Sequence, residues 1–152
     1  MTDITTENYA DVNARAIDGW NAQGWEWGTP LSHEEYLEAR QGEWRMLLTP
    51  TKPVPPEWYP SDLSGLRVLG LACGGGQQMP IFAALGARCT VFDYTPSQLE
   101  SERMVASASY EIEIAGATSS RPLDGEFDLI FHPVSNCYIE EVKPPGASAI
   151  AS

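Results

Sequence analysis

The stretch that most limits the fold is LGLACGGGQQMPIF, residues 69–82, where an apolar run meets Gly74, Gly75 and Gly76 and leaves through Gln77, Gln78, Met79 and Pro80. A short apolar run without polar alternation is the pattern of a strand buried on both faces. Residues 78–85 then read as a short helix, with Pro80 tolerated in its first turn and Gly86 as its stop. A bare loop between such a strand and such a helix lies at the carboxyl end of a sheet, where open α/β folds bind ligands. Glycine removes Cβ, so the chain can turn sharply and approach a ligand, while the helix N-terminus offers N–H groups.

The following segments repeat the alternation. RCTVFD reads as the next strand, and TPSQLESERMVASA as a helix with its own start code. Thr95 is its cap, Pro96 its first residue and Gln98 the capping-box partner, with Tyr94 and Leu99 as a hydrophobic staple. YEIEI alternates as a strand should, and EFDLIFHPV supplies a fourth. Strand–helix–strand–helix order implies right-handed crossovers and a parallel sheet. Residues 1–60 differ: they carry all five tryptophans and read as helical segments joined by irregular chain. Ser32 and Glu35 form a capping box, Leu31 and Tyr36 a staple, and Gly42 weakens or ends that helix. Five prolines between Pro50 and Pro60 exclude regular helix and predict an extended connector. The expected organisation is thus a helical cap and connector over 1–60, a ligand-binding core over 61–143 and a flexible tail over 144–152.

Three loop types compete for the glycines. A phosphate loop of the GxxxxGK[ST] type needs a Lys and a Ser or Thr that do not follow here. A dinucleotide fingerprint, and with it a nicotinamide-dependent oxidoreductase, needs a third glycine where Met79 stands. What is left is a loop shaped for an adenosyl ligand without a pyrophosphate. Asp93 ends the second strand at about the spacing where an acidic side chain meets a ribose, and a carboxylate accepts from both hydroxyls. The plainer reading makes Asp93 a strand-end residue ahead of a capped helix.

Residues 68–106, VLGLACGGGQQMPIFAALGARCTVFDYTPSQLESERMVA, with FDLIFHPVSNCY further on, resemble the first part of a class I S-adenosylmethionine-dependent methyltransferase, of the bacterial kind whose glycine loop runs into paired glutamines. The resemblance covers residues 60–143, and implies a three-layer Rossmann-like parallel sheet of strand order 3-2-1-4 with an N-terminal helical cap. It implies that Ala72, Cys73, Gly74, Gly75, Gly76 and Gln77 wrap the methionine part of S-adenosylmethionine, that Asp93 holds the ribose, that Tyr94 lies against the adenine and that Gln98 also contributes. It implies further that the loop from His132 to Tyr138 lines the transfer site, with S-adenosylhomocysteine as product. Three positions depart from the family: Gly70, often acidic; the run Gly116–Thr118, where an acid usually reads the adenine and Thr118 or Ser119 must substitute; and the chain's end, after four of the family's usual strands.

Methyl transfer from a sulfonium is an in-line displacement, so the protein mainly orients the partners and excludes water. His132 is a candidate general base, or else a hydrogen-bonded structural group. Asn136 and Ser135 are candidates to orient a polar acceptor and Tyr138 to pack on it, or else form a tight turn after Pro133. Trp25, with Trp20 and Trp27, forms either an aromatic lid over the acceptor or a small core docking the cap. No metal site is expected. The net charge of -12 disfavours nucleic acid and anionic membranes, whose phosphates require clustered Lys and Arg. Cys73, Cys89 and Cys137 form no CxxC pair, and the start has neither a basic nor an apolar leader segment, so a cytoplasmic protein acting on a small molecule is expected. The apolar fourth strand, FDLIF, has nothing in this chain to pair its far side, which predicts dimerisation through that edge or a marginal fold. The alternative function is a catalytically inert module that binds the cofactor.

Overall fold

The computed structural model describes residues 8–49, 51–107, 112–116, 127–133 and 137, with backbone alone at Leu48 and at 112–116. The chain opens with helix α1 (Tyr9–Ala22), whose Asn8 side chain accepts from the Ala10 N–H, followed by a 3-10 turn (Glu26–Gly28). Helix α2 (His33–Arg40) starts on the expected capping box: Ser32 Oγ accepts from Glu35 N–H, and Glu35 Oε2 accepts from Ser32 N–H at 2.8 Å. It ends two residues before Gly42, whose φ of +91° permits the reversal. The proline-rich connector is not simply extended. Strands β1 (Leu47–Thr49) and β2 (Lys52–Pro53) pair antiparallel and a second 3-10 turn covers Pro56–Trp58, short elements that tolerate the absent proline N–H groups.

From Arg67 the chain alternates β3 (Arg67–Leu71), α3 (Gln78–Ala84), β4 (Arg88–Asp93), α4 (Pro96–Ala106) and β5 (Ile112–Gly116), and then forms β6 (Leu129–Phe131). The four strands from β3 to β6 make one sheet in the order β5-β4-β3-β6, every pairing parallel. The fold is therefore α/β with a parallel sheet. Register places Val68 beside Cys89 and Leu129, and Gly70 beside Val91 and Phe131, so these residues share one face. That face packs on Met79, Ile81 and Phe82 of α3 and Leu99 of α4 to form the core. Phe82, fully buried, meets Tyr59 of the connector and Phe131 of β6 in edge-to-face contacts at 5.9 and 5.4 Å. Such pairs add about 1 kcal/mol each to area burial.

At the other end, Arg67 N–H donates to Asp128 Oδ2 at 2.8 Å and Asp128 N–H to Arg67 O at 2.9 Å, which fixes the register of β6 against β3. On the opposite face Ile130 is 58% exposed, an apolar side chain on the outer strand. Among the described residues no helix is long and apolar enough to cross a membrane. The tryptophans lie at the margins of the core. Trp20 and Trp25 pack on each other with ring centroids 5.2 Å apart, Trp44 leans on the core edge, and Trp58 is exposed.

Candidate cofactor site

Strands β3 and β4 end side by side, and residues 72–77 leave β3 across the tip of β4. Ala72 N–H donates to Phe92 O at 2.7 Å as the loop begins. Ala72 has a φ of 50°, the one positive value among described non-glycine residues. A left-handed L-residue costs about 1 kcal/mol, and such strain gathers at functional sites. The three glycine amides that follow are each held from a different place. Gly74 N–H donates to Asp93 Oδ2 at 2.9 Å, Gly75 N–H to the Gln98 carbonyl at 3.0 Å and Gly76 N–H to Glu102 Oε1 at 2.8 Å.

The bareness of the loop serves the protein's own packing as well as any ligand. A Cβ on Gly75 (φ +107°) would lie 2.4 Å from Gln98 Oε1 and 2.9 Å from the Trp27 carbonyl oxygen. One on Gly76 (φ +72°) would meet Val105 and Pro30. Helix α4 and the cap therefore close on the loop from two sides. Leu31 N–H donates to Gly76 O at 2.7 Å, and Gln77 Nε2 donates to Glu26 O and Thr29 O at 2.8 and 2.9 Å.

The start of α4 corrects the sequence expectation. Thr95 occupies the cap position, yet its side chain makes no capping bond and no capping box with Gln98 forms. Asp93 Oδ1 takes the Thr95 N–H at 2.9 Å, and Asp18 Oδ1 of α1 takes the Ser97 N–H at 3.1 Å. Asn21 Nδ2 donates to Ser97 Oγ at 2.6 Å, and the Tyr94 hydroxyl donates to Asp11, whose hydrogen bond raises the Tyr94 pKa. With its amides met from α1 and β4, the helix leaves Gln98 turned under the loop, 7% exposed, with Oε1 unpartnered among the described residues.

Beneath the loop the electrostatics are acidic. Glu102 is fully buried, and its carboxyl is pushed up to about 7, chiefly by burial, with Gly76 N–H pulling it down and Asp93 pushing it up. Burial, reinforced by Glu102 and Asp93, pushes the Cys73 thiol well above its ordinary value, so it is no nucleophile at neutral pH. Cys73 Sγ and Met79 occupy the space a side chain at Gly70 would need, which leaves no room for the family's usual acid.

Residues 69–146, just over half of the 152, match the family described as a methyltransferase domain. The chain belongs to the methyltransferase family. A Bacillus subtilis (strain 168) protein described as the uncharacterized methyltransferase YbaJ is 38% identical over 136 residues, which cover 87% of this chain and 53% of that protein. The chain thus spans about half the length of that relative.

Within this methyltransferase domain the structure gathers Ala72, Gly74, Gly75, Gly76, Asp93 and Gln98 at adjacent strand ends, with Tyr94 beside them. The Cys73 side chain points into the core, and Gln77 is occupied with the cap. His132 follows β6, its Nδ1 2.7 Å from the Leu71 carbonyl. Trp25 is half-buried against Trp20. Ser135, Asn136 and Tyr138, like Thr118 and Ser119, lie outside the described residues. A cleft of about 750 Å³ opens between the 26–47 segment and α3, but neither Asp93 nor the glycines line it, so strand-end geometry locates the site better. Sequence reading missed Glu102, Asp18, Asn21 and Ser97. Glu102 had a legible signal, since it falls three residues after Leu99 and three before Val105 and so puts a carboxylate in the apolar stripe of α4.

Proposed function

We propose that the chain binds S-adenosylmethionine and transfers its methyl group to a small-molecule acceptor. The observation that carries the reading is the Gly74 N–H to Asp93 Oδ2 bond, which brings the glycine loop and the strand-end acid together at the tips of adjacent parallel strands. Family membership supports it, as does the spare capacity of Asp93. Each of its oxygens accepts one backbone N–H, leaving a lone pair apiece for ribose hydroxyls. When bound, the cofactor supplies a methyl group made electrophilic by its sulfonium.

The chain's own residues orient and shield. Ala72 to Gly76 shape the wall for the amino-acid part, with Asp93 on the ribose and Tyr94 beside the base. A carbonyl can only accept, so the hydrogen between His132 and Leu71 sits on Nδ1, and the neutral ring then carries its basic lone pair on Nε2. That tautomer suits a general base beside the loop. Asn136 and Ser135 would orient the acceptor, with Tyr138 and Trp25 packing on it. The strongly acidic chain, at a net charge of -12, favours a small acceptor over a polyanion. A cytoplasmic setting fits the same reading.

Calorimetric titration with S-adenosylhomocysteine, with NAD and Asp93→Ala as controls, tests the proposal. Micromolar binding, lost in the variant and absent with NAD, is expected. Binding without methyl release towards any amine, thiol or hydroxyl acceptor would favour a non-catalytic binding module. No binding by the folded chain would sink the reading.

A further inference from the structure

Of the three acceptors that hold the glycine amides, one differs in kind. The Gln98 carbonyl cannot change charge, and Asp93 has both oxygens on backbone N–H groups. Glu102 is 0% exposed, with Oε1 on the Gly76 N–H and Oε2 buried and unpartnered among the described residues. A proton can therefore sit on Oε2 without displacing any bond, which makes Oε1 a neutral acceptor in place of a charged one.

The group whose charge acts on this carboxyl is Asp93 of β4; Cys89 of β4 and Cys73 of the loop lie near enough for Glu102 to push their thiols up, so both are neutral over the range where the carboxyl ionises. Against Gly76 itself the cap contributes Pro30 and α4 contributes Val105 and the Ser101 carbonyl, none of which titrates. The geometry fixes what such a change reaches. Gly76 N–H belongs to the Gly75–Gly76 peptide, and the next peptide is held through Gly76 O by Leu31 of the cap. Glu102 thus sets the tilt of the peptide that closes the loop.

We propose that Glu102 is the positioning residue of the cofactor loop, and that protonating its carboxyl loosens the Gly75–Gly76 peptide and weakens cofactor binding. This rests on the cofactor reading above. The burial that pushes the carboxyl to about 7 places the change near neutral pH.

The test follows the Gly76 amide resonance by nitrogen–proton NMR, and S-adenosylhomocysteine affinity by calorimetry, from about pH 5.5 to about pH 8.5, on the full chain and on Glu102→Gln. The Gly76 resonance is expected to titrate near neutrality. Affinity should fall about fivefold towards acid with the same midpoint, the difference between a charged and a neutral acceptor. Both profiles should be flat in Glu102→Gln, which keeps an acceptor but cannot ionise. That variant also separates this carboxyl from every other group in the protein. A Gly76 resonance that does not move overturns the proposal without any variant or ligand. So does affinity that is flat with pH while the ligand binds. Absence of binding at every pH instead removes the cofactor reading beneath it.

Discussion

Helices α2 and α4 start from similar residues and are held in opposite ways. Ser32 and Glu35 satisfy the start of α2 from within its own first turn, in a largely exposed setting. The start of α4 relies on Asp93 for Thr95 and on Asp18, 79 residues earlier, for Ser97. A helix with a local cap is independent of its surroundings. One whose amides are met by β4 and α1 ties the strand tip, the glycine loop and the cap into one unit. The second arrangement sits where the cofactor is proposed to bind.

The difference can be broken experimentally. Asp93→Ala removes the acceptor of two amides, Gly74 and Thr95, and should cost about 4 kcal/mol in a denaturant titration. Next comes the pH dependence of stability. The Glu102 carboxyl is raised from its ordinary 4.5 to about 7, so charging it costs more in the folded chain than in the unfolded one. Its contribution is present in full below about pH 4.5 and is lost as pH rises through 7, about 3 kcal/mol in all. Glu102→Gln should flatten that slope, as measured by thermal unfolding across the range. Asp128, held low by the Arg67 N–H, gives stability present above its unfolded pKa and lost only in stronger acid, so it leaves the neutral window to Glu102.

Ser32→Ala and Asp18→Ala should each cost about 1 kcal/mol. Ser32→Ala should leave S-adenosylhomocysteine affinity unchanged, whereas Asp18→Ala should alter it and expose α1 to limited proteolysis. Equal affinities would show that the cap is uncoupled from the site. Smallest is Thr95→Val, expected within about 0.5 kcal/mol because the hydroxyl makes no capping bond. A loss near that of Ser32→Ala would mean that α4 is capped locally after all.

The same contrast explains what the sequence made legible. The capping box of α2 was readable because both partners lie within four residues. The β3 to β4 unit was readable from its apolar runs and glycines, and so were the loop and Asp93. The cap's bonds to Ser97, Gly76 and Gln77 were not, because their partners lie 45 to 79 residues away and are ordinary polar groups with no pattern of their own. The Thr95 code was present in the letters but lost to nearer acceptors once β4 and α1 were in place. Gly74 to Gly76 were read as room for a ligand, and the groups that approach them in the structure include Gln98, Trp27 and Pro30 of the chain itself.

The long-range seam between cap and loop also sets an order of assembly. Residues 8–31 leave the ribosome well before Gly76, Gln77 and Ser97 exist. During synthesis Asp18 and Asn21 of α1 wait for Ser97, while Trp20 of the helix already has Trp25, just beyond it, to pack on. The contacts of the cap with the loop and α4 can therefore form only after those segments have been made. A seam made of single polar contacts is expected to open at lower cost than the parallel sheet, which hydrogen exchange would show as faster exchange at Leu31 and Ser97 than in β3 and β4.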